Sequence, residues 1–482
     1  MCRQSAKPVQ YVKICSLYGA GFYYIPGTDT CIKIGGFVRT EWLYNSNGSF
    51  GPYTSDQYTR ATNYIRNRSR FVLSMDTRSQ TEYGTLRSYG RGGWQWTSGD
   101  YQVGGSQGAS NVTGAGSQTG APINSSSTTY FDRAFIQLAG FTFGKTQSYF
   151  DFFNAGYFSN QTPWMWMDTG GSGTPVFAYT AQFGNGMSAT LSVEDYTEQS
   201  LPVVGVLAGG GNVSTTGSSS VGNNRGYWVP DFVANLRVDQ GWGSAQIQGA
   251  LHQDAAQYYA GATNLVFSHP ADAWGWAVGG GVTINLPMLG KGDLFSVGTN
   301  YCEGASRYCS NPAGGVLGSG ALYGERSGGT FGQGTLVDAY YNNVLGTRSG
   351  LQLPKVWNVE AGIAHHWNAQ WQTSLYGGYI NYKANSNAVN TLGCAGNFGG
   401  SLGGTAQTSG CLDWSAWQVG SRTLWNPVAN LDVSLDVLYH KVNGALNGAT
   451  RAAPTGSGQA FLTYGDVGEF TGMFRVQRNF WP

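Results

Sequence analysis

The segment IRNRSRFVLSMDTR, residues 65–78, decides the fold because its polar and apolar side chains alternate with a period of two. Arg66, Arg68 and Arg70 occupy even positions, whereas apolar residues such as Phe71 occupy odd positions. Successive side chains of a β-strand point to opposite faces, so one face of this segment is charged and the other is apolar. The pattern predicts a strand with water on one side and an apolar environment on the other.

Alternation of this kind recurs along the whole chain, while helical periodicity is nearly absent, so we predict an all-β fold. The segments that carry the pattern are 32–45, 66–77, 81–96, 130–140, 141–149, 176–184, 187–195, 228–238, 243–253, 274–286, 293–301, 355–368, 371–383, 413–425, 431–442 and 468–480. They number sixteen.

The connections between these segments alternate strictly between short and long. Short turns are predicted at 77–80, 140, 184–186, 239–241, 287–292, 368–369 and 426–427, and the Asn185-Gly186 pair is a strong hairpin signal. Long loops are predicted near 46–64, 97–129, 150–175, 196–227, 254–272, 302–354, 384–412 and 443–467. An even strand count with short turns on one rim and long loops on the other is typical of an antiparallel transmembrane β-barrel.

Composition agrees with a barrel and argues against other classes. Charged residues make up 11% of the 482 residues, and 74 residues are glycine, whereas soluble domains have roughly 25% charged residues and about 7% glycine. The net charge of +1 provides no basic field, so we expect no nucleic-acid partner. No apolar run approaches the roughly 18 residues of a transmembrane helix.

A sheet can span lipid only when it closes and thereby pairs every backbone group. Sixteen strands would leave a water-filled lumen, whereas eight would be filled by their own side chains. Aromatic residues near strand ends suit the girdles of such a barrel, namely Trp42, Tyr44, Trp228, Trp274, Trp276, Trp414, Trp417 and Tyr439. The alternative interpretation of these rings is the core of a soluble β-sandwich.

The stretch VKICSLYGAGFYYIPGTDTCIKIGGFVRTEWLYN, residues 12–45, resembles the opening of the alphaproteobacterial (rhizobial-type) outer-membrane porin family. The shared pattern is C-x2-YG-x-GF-x-YIPGTDTC-x-K-x-GG-x-VR. QTEYGTLRSYGR at 80–91 and FGKTQSYFDFF at 143–153 are also similar to that family. The resemblance covers the first third of the chain and returns in the last strand.

The resemblance implies a homotrimeric 16-stranded antiparallel transmembrane β-barrel in the bacterial outer membrane, with its third long loop folded into the lumen. We place this constriction loop at about 151–175, an N-terminal segment at 1–31 and the barrel at 32–482. The expected function is passive diffusion of small hydrophilic solutes and ions, without cofactor or turnover. Outer-membrane lipid and lipopolysaccharide are the other expected partners.

The row of Arg66, Arg68 and Arg70 is the main functional candidate, because three guanidiniums on one strand face must lie in water rather than in lipid. If this row lies opposite carboxylates on the infolded loop, the two sets of charges would create a transverse electric field across the pore. We nominate Asp151 and Asp168 for that role.

Arg39 and Arg87 share the lining parity of this row, as do Arg78 and Arg475. Glu41, Asp76, Glu82 and Glu469 are the candidate partners of these arginines. The alternative places the row at the outer rim, against anionic lipid headgroups or a neighbouring subunit.

The cysteines form three local pairs when Cys2 is left aside. Cys15 with Cys31, Cys302 with Cys309 and Cys394 with Cys411 would each close a small loop, which indicates an oxidising compartment. Free thiols or other pairings are the alternative. The opening MCRQSAKPVQ lacks an apolar signal region, which we interpret as a truncated or misassigned start that includes Cys2.

Enzymatic and metal motifs do not stand out. AGFTFGKT at 139–146 lacks the first glycine of a phosphate-binding loop and continues as a strand. His365 and His366 point to opposite strand faces, and the remaining histidines show no ligand spacing. We therefore expect no metal site and no enzyme.

Two other functions stay open. A solute-specific channel with a saturable binding site could use Trp164 and Trp166 to stack against sugars. A secreted soluble β-protein, such as an adhesin or a glycan-active enzyme, is the third possibility. An enzyme of that kind would need paired catalytic carboxylates, and none stand out in the sequence.

Overall fold

Sixteen strands form a closed antiparallel barrel in a computed structural model. The structure describes residues 13–44, 65–98, 126–161, 173–195, 200–206, 224–259, 268–310, 321–327, 330–342, 348–385, 412–444, 447–448, 450–452 and 461–480. The barrel strands are β1 (Cys31–Tyr44), β2 (Ile65–Thr81), β3 (Gly84–Thr97), β4 (Ser126–Leu138), β5 (Phe141–Thr146), β6 (Thr174–Gly184), β7 (Met187–Glu194), β8 (Asp231–Gln240), β9 (Gly243–Asp254), β10 (Ala273–Asn285), β11 (Leu294–Glu303), β12 (Lys355–His366), β13 (Trp371–Lys383), β14 (Trp414–Trp425), β15 (Leu431–Asn443) and β16 (Val467–Asn479).

Each strand pairs with its neighbour in the chain, and the barrel closes where β16 pairs with β1 from Phe37 opposite Asn479 to Tyr44 opposite Gly472. Closure leaves no free sheet edge, which satisfies the backbone hydrogen bonds within the sheet. The predicted sixteen-stranded antiparallel barrel is therefore confirmed. None of the helices in the described ranges is long and apolar enough to cross a membrane.

Smaller elements are not part of the barrel wall. They are a 3-10 turn at Ser16–Tyr18, a strand at Tyr23–Tyr24, a helix at Ala155–Phe158 and a 3-10 turn at Ser306–Cys309. Val203–Val206 pairs in parallel with Ala339–Asn342. A four-stranded sheet contains Ala321–Ser327, Thr330–Leu336, Thr450–Ala452 and Phe461–Tyr464. The long loops therefore carry secondary structure of their own.

Short and long connections alternate as predicted, with one correction. Asn185 and Gly186 adopt positive φ values of 49° and 75°, as the tight turn between β6 and β7 requires. The turn predicted at 77–80 is wrong, because β2 and β3 stay paired until Thr81 lies opposite Gly84. Thr81 Oγ1 donates a hydrogen bond to the Gly84 carbonyl at 2.7 Å. A polar run at a strand end therefore continued the strand instead of ending it.

Side chains alternate between the two faces of the barrel as the sequence predicts. In β2, Phe71 and Met75 are exposed on the outer face, while Val72, Ser74 and Asp76 are buried on the inner face. The outer face carries apolar and aromatic side chains of most strands. The inner face carries polar side chains together with an apolar core in one part of the barrel.

Trp414 corrects the predicted aromatic girdle. Trp42, Tyr44, Trp228, Trp274 and Trp276 are exposed as expected, whereas Trp414 is 3% exposed. Its ring stacks on Tyr382 with 5.7 Å between the centroids. Both residues belong to an apolar core that the long loops build inside the wall of β8–β15, with Tyr340 and Leu336 among its members.

Two predicted disulfides are present. Cys15 is bonded to Cys31, and Cys302 is bonded to Cys309. The first ties the N-terminal segment to the start of β1, and the second holds the Ser306–Cys309 turn against the end of β11. Cys394 and Cys411 lie outside the described residues.

Candidate functional site

Glu41 of β1 is the centre of a buried ion cluster on the inner wall. Its carboxylate lies 2.7 Å from Arg68 Nε, 2.6 Å from Arg475 Nη2 and 3.7 Å from Arg39 Nη1. The three arginines come from β2, β16 and β1, which are adjacent because the barrel closes there. Three guanidiniums around one carboxylate leave an excess of positive charge on this side of the lumen.

The third long loop runs inward from β5, and its second arm is fixed to the wall formed by β14, β15 and β16. Asp436 of β15 accepts hydrogen bonds from Ser159 Oγ at 2.9 Å and from the Asn160 backbone N–H at 2.6 Å. Arg422 donates to the carbonyls of Gly156 and Tyr157. These contacts hold residues 156–160 against the inner face of the barrel.

Asn160 connects this loop arm to the ion cluster. Arg475, which contacts Glu41, also donates to Asn160 Oδ1 at 2.9 Å and to its carbonyl oxygen at 2.6 Å. Gln161 Oε1 accepts a hydrogen bond from Thr471 Oγ1 at 2.6 Å. The loop and the arginine wall therefore form one continuous polar network.

The first arm of the same loop contacts the opposite wall. The Tyr149 backbone N–H donates to Glu194 of β7 at 3.0 Å, and its carbonyl accepts from Asn235 Nδ2 of β8 at 2.6 Å. Gln246 of β9 donates to the Asp151 carbonyl at 3.3 Å. The loop therefore crosses the lumen from β7–β9 to β14–β16, which confirms the predicted infolding.

The three arginines of the predicted row have different partners along β2. Arg68 joins the Glu41 cluster, whereas Arg70 Nε donates to Gln95 Oε1 at 3.0 Å. Arg66 Nη2 donates to the Ser98 carbonyl at 3.4 Å, at the end of β2 nearest the long loops. All three side chains share the inner face, and Arg66 lies nearest to the rim.

Arg87 belongs to a different cluster. Its Nη2 lies 2.9 Å from Asp76 Oδ2, which also contacts Arg78 at 2.8 Å. These residues lie near the short turn between β2 and β3. Arg87 is therefore separated along the barrel axis from the residues that contact the infolded loop.

Of the two nominated acidic residues, only Asp151 lies among the residues that the structure describes. Asp151 lies in the first loop arm beside β9, where its carbonyl accepts from Gln246. Asp168, Trp164 and Trp166 lie outside the described residues. Their proposed roles are therefore untested.

Sequence reasoning did not find Arg422, Asp436 or Asn160. The parity of β14 and β15 places Arg422 and Asp436 on the inner face, so alternation was the available signal. The sequence did not indicate which strands the loop would contact, because Asp436 and Asn160 are 276 residues apart.

The arginine wall and the opposite wall differ in how much of their charged side chains is exposed to water. The side chains of Arg39, Arg68 and Arg475 keep 18%, 13% and 14% of their surface exposed. On the opposite side Glu194, Asp231, Asp254, Asp338 and Glu360 are at most 1% exposed, whereas Asp151 of the loop arm is partly exposed. The guanidiniums of the Glu41 cluster therefore have more contact with water than these five buried carboxylates.

A closed sixteen-stranded barrel with an apolar outer face, a polar inner wall and a loop folded across the lumen defines a class of protein, the outer-membrane channel. The chain belongs to the porin family, because the Porin subfamily model matches residues 2–460. This membership places the barrel in the outer membrane.

Relatives of this family support that assignment. Porin Omp2b of Brucella canis is 32% identical over 248 residues, which cover 51% of this chain and 58% of that protein. Porin Omp2b of Brucella abortus is 31% identical over 247 residues, with the same coverage. The alignment therefore spans little more than half the length of these curated relatives.

A solved structure shares the fold. The outer membrane channel DcaP of Acinetobacter baumannii has a TM-score of 0.54 and 13% identity, covering 95% of this chain and 99% of that one. At this identity the likeness concerns the barrel architecture only.

Proposed function

We propose that the protein is a passive diffusion channel for small hydrophilic solutes and ions, with a preference for anions. The observation that carries this proposal is the cluster of Arg39, Arg68 and Arg475 around the single carboxylate of Glu41. Arg70 and Arg422 add two further guanidiniums to the same side of the lumen.

A charged wall selects ions because the potential inside a narrow, low-dielectric channel raises the local concentration of the opposite charge. The loop that crosses the lumen narrows the path beside this wall, so a solute must pass close to the guanidiniums. Transport of this kind needs neither turnover nor a cofactor.

We also propose that three copies associate into a homotrimer through the wall around β5. This strand has six residues, which at about 3.3 Å per residue span roughly 20 Å before tilting. Because the apolar band of an outer-membrane barrel is about 25 Å tall, β5 is too short to face lipid alone. A neighbouring copy would cover it, and lipid with lipopolysaccharide would contact the remaining outer face.

The selectivity is tested with the purified chain in a planar bilayer under a KCl gradient. The reversal potential of the unmodified protein should show anion preference. Arg68→Gln should lower the anion-to-cation permeability ratio by about two- to fivefold, because one unit charge contributes at most about 1 kcal/mol at 4 Å in water.

Arg478→Gln is the matched control. Arg478 is exposed on the outer face near the short-turn rim, where it donates to the Ala429 carbonyl. This variant should leave the reversal potential unchanged. Cation preference of the unmodified channel, or equal reversal potentials for Arg68→Gln and wild type, would contradict the proposed role of the arginine wall.

A further inference from the structure

Four ionisable side chains are buried together where β8 and β9 reach the long-loop rim. His252 and Asp254 belong to β9, Asp231 begins β8, and Asp338 lies in the loop between β11 and β12. All four are at most 1% exposed. Burying several carboxylates beside one imidazole costs free energy unless other groups or a cation compensate the charge.

The orientation of the His252 ring is fixed on one side. Its Nδ1 lies 2.8 Å from Asp231 Oδ1, and the Tyr308 hydroxyl donates to Asp231 Oδ2 at 2.7 Å. Burial, together with the nearby Asp231 carboxylate, raises the pKa of Tyr308, so the phenol stays protonated and remains a donor.

With Nδ1 directed at a carboxylate, the other ring nitrogen is the one that faces the remaining acids. His252 Nε2 lies 3.7 Å from Asp338 Oδ2 and 3.9 Å from Asp254 Oδ1. Metal-binding histidines are held in this way, with one nitrogen on a carboxylate and the other directed at the ion.

The carboxylate of Asp254 is buried without hydrogen-bond partners among the described residues. Its side chain is 1% exposed, and both carboxylate oxygens lack such a partner. A buried carboxylate left in this state is costly. The distances of 3.7 Å and 3.9 Å from the imidazole nitrogen are too long for hydrogen bonds.

The spacing of the three groups suits an ion between them. One ligand atom each from His252, Asp254 and Asp338 can be chosen so that all lie within 4.8 Å of one another. The separations of 3.7 Å and 3.9 Å between His252 Nε2 and the two carboxylates leave room for an ion bound about 2.0–2.2 Å from nitrogen and carboxylate ligands.

We propose that His252 Nε2 and the carboxylates of Asp254 and Asp338 bind one divalent transition-metal cation of the Zn²⁺ type. Ca²⁺ takes six to eight oxygen ligands, whereas an imidazole with two carboxylates suits Zn²⁺ or a similar first-row ion. A narrow crevice of about 10 Å³, lined in part by Asn224 and Trp228, reaches His252 and Asp254.

The ion would have a structural role, because its ligands come from separate parts of the chain. Asp338 Oδ1 accepts from the Ser306 backbone N–H at 2.8 Å, and its other oxygen accepts from the Leu201 backbone N–H. Binding would therefore fasten the two loops that contain Leu201 and Ser306 to the end of β9. Both loops belong to the apolar core at the mouth of the lumen.

The test measures Zn²⁺ on the chain of 482 residues after refolding in a chelator and dialysis against Zn²⁺. We expect one Zn²⁺ per chain by elemental analysis. When Co²⁺ replaces Zn²⁺, we expect a visible absorption band typical of Co²⁺ with a low coordination number. Failure of the unmodified chain to retain Zn²⁺ against a weak competing chelator would overturn the proposal.

Asp254→Asn preserves the volume of the side chain and should lower the bound Zn²⁺ at least tenfold, and His252→Gln should do the same. The matched control is Asp272→Asn, which removes a rim carboxylate that pairs with Arg225 at 2.7 Å outside the cluster. This control should retain one Zn²⁺. Retention of full Zn²⁺ by folded Asp254→Asn would show that the ion is bound elsewhere and would overturn the proposed site.

Discussion

Glu41 illustrates how a single residue determines the character of the lumen. It is fully buried, and its carboxylate contacts arginines on three strands. Without this charge, three guanidiniums would repel one another at short range. The residue therefore serves two purposes, because it limits the positive charge of the wall and stabilises the closure of β16 on β1.

Glu41→Gln is expected to destabilise the barrel. Removing one partner of a buried ion pair costs about 3–5 kcal/mol. Because the amide retains part of the hydrogen bonding, we expect the free energy of unfolding to fall by about 3 kcal/mol. The measurement is the urea midpoint of the gel-mobility shift between folded and unfolded protein. The same variant should increase the anion preference in a bilayer.

The exposed turn residue Glu82 provides the matched control for this prediction. Glu82→Gln removes the same charge between β2 and β3, at a position open to solvent. Its urea midpoint should equal that of the unmodified protein. If Glu41→Gln unfolds at that midpoint as well, the ion cluster does not stabilise the closure.

At the scale of elements, the infolded loop is held by a few polar anchors rather than by an apolar core alone. Asp436 is the principal anchor, because one carboxylate accepts hydrogen bonds from Ser159, Asn160 and Tyr376. Arg422 and Arg475 hold the same arm from both sides. Loss of one anchor should therefore loosen the arm without unfolding the barrel.

We predict that Asp436→Asn increases open-channel noise and raises the mean single-channel conductance. An asparagine presents an N–H donor where two carboxylate oxygens now accept, so the loop loses about 1–3 kcal/mol of stabilisation. Single-channel recording at constant voltage measures both effects.

Asp432→Asn is the control for this loop variant. Asp432 lies on the same strand but bonds Asn426 and Asn479 near the short turn. Its recordings should match those of the unmodified channel. Identical noise in Asp436→Asn and Asp432→Asn would mean that the carboxylate does not restrain the loop.

At the scale of the whole molecule, the barrel wall differs in height around its circumference. β5 is short, and around it Phe141, Phe143 and Phe177 pack their rings against one another with the side chains exposed. A lipid-facing wall needs height as well as apolar side chains. The wall around β5 has the apolar side chains of a lipid-facing surface but is shorter than such a surface. This combination agrees with the proposal that another copy covers it.

Phe143→Ser should therefore weaken the proposed trimer. Burying a phenylalanine contributes about 1.5–3 kcal/mol, and each of the three copies would lose that contact. The temperature at which the trimer band dissociates on a semi-native gel should fall. Bilayer openings should then arrive singly instead of in threes.

Leu251→Ser tests whether this effect is specific to the β5 region. Leu251 is 50% exposed on the outer face of β9, on a wall that we expect to face lipid. Its trimer should dissociate at the same temperature as the unmodified trimer. A monomeric wild-type protein, or equal loss in both variants, would contradict an interface at β5.

The sequence by itself determined the strands, their number, the alternation of short and long connections and the faces of the side chains. These properties follow from local periodicity and turn chemistry, which depend on residues close together in the chain. For the same reason the inward parity of Arg39, Arg68 and Arg70 was predictable, as were the two disulfides that close short loops.

Only the tertiary structure decided which inward residues meet. The cluster of Glu41 with Arg475 forms because the last strand closes on the first, and Asp436 anchors Asn160 from the far side of the chain. His252 and Asp254 share a strand face, but their partner Asp338 lies in a loop 84 residues after Asp254. Contacts of this kind depend on how the loops fold into the lumen, and no local pattern in the sequence encodes that path.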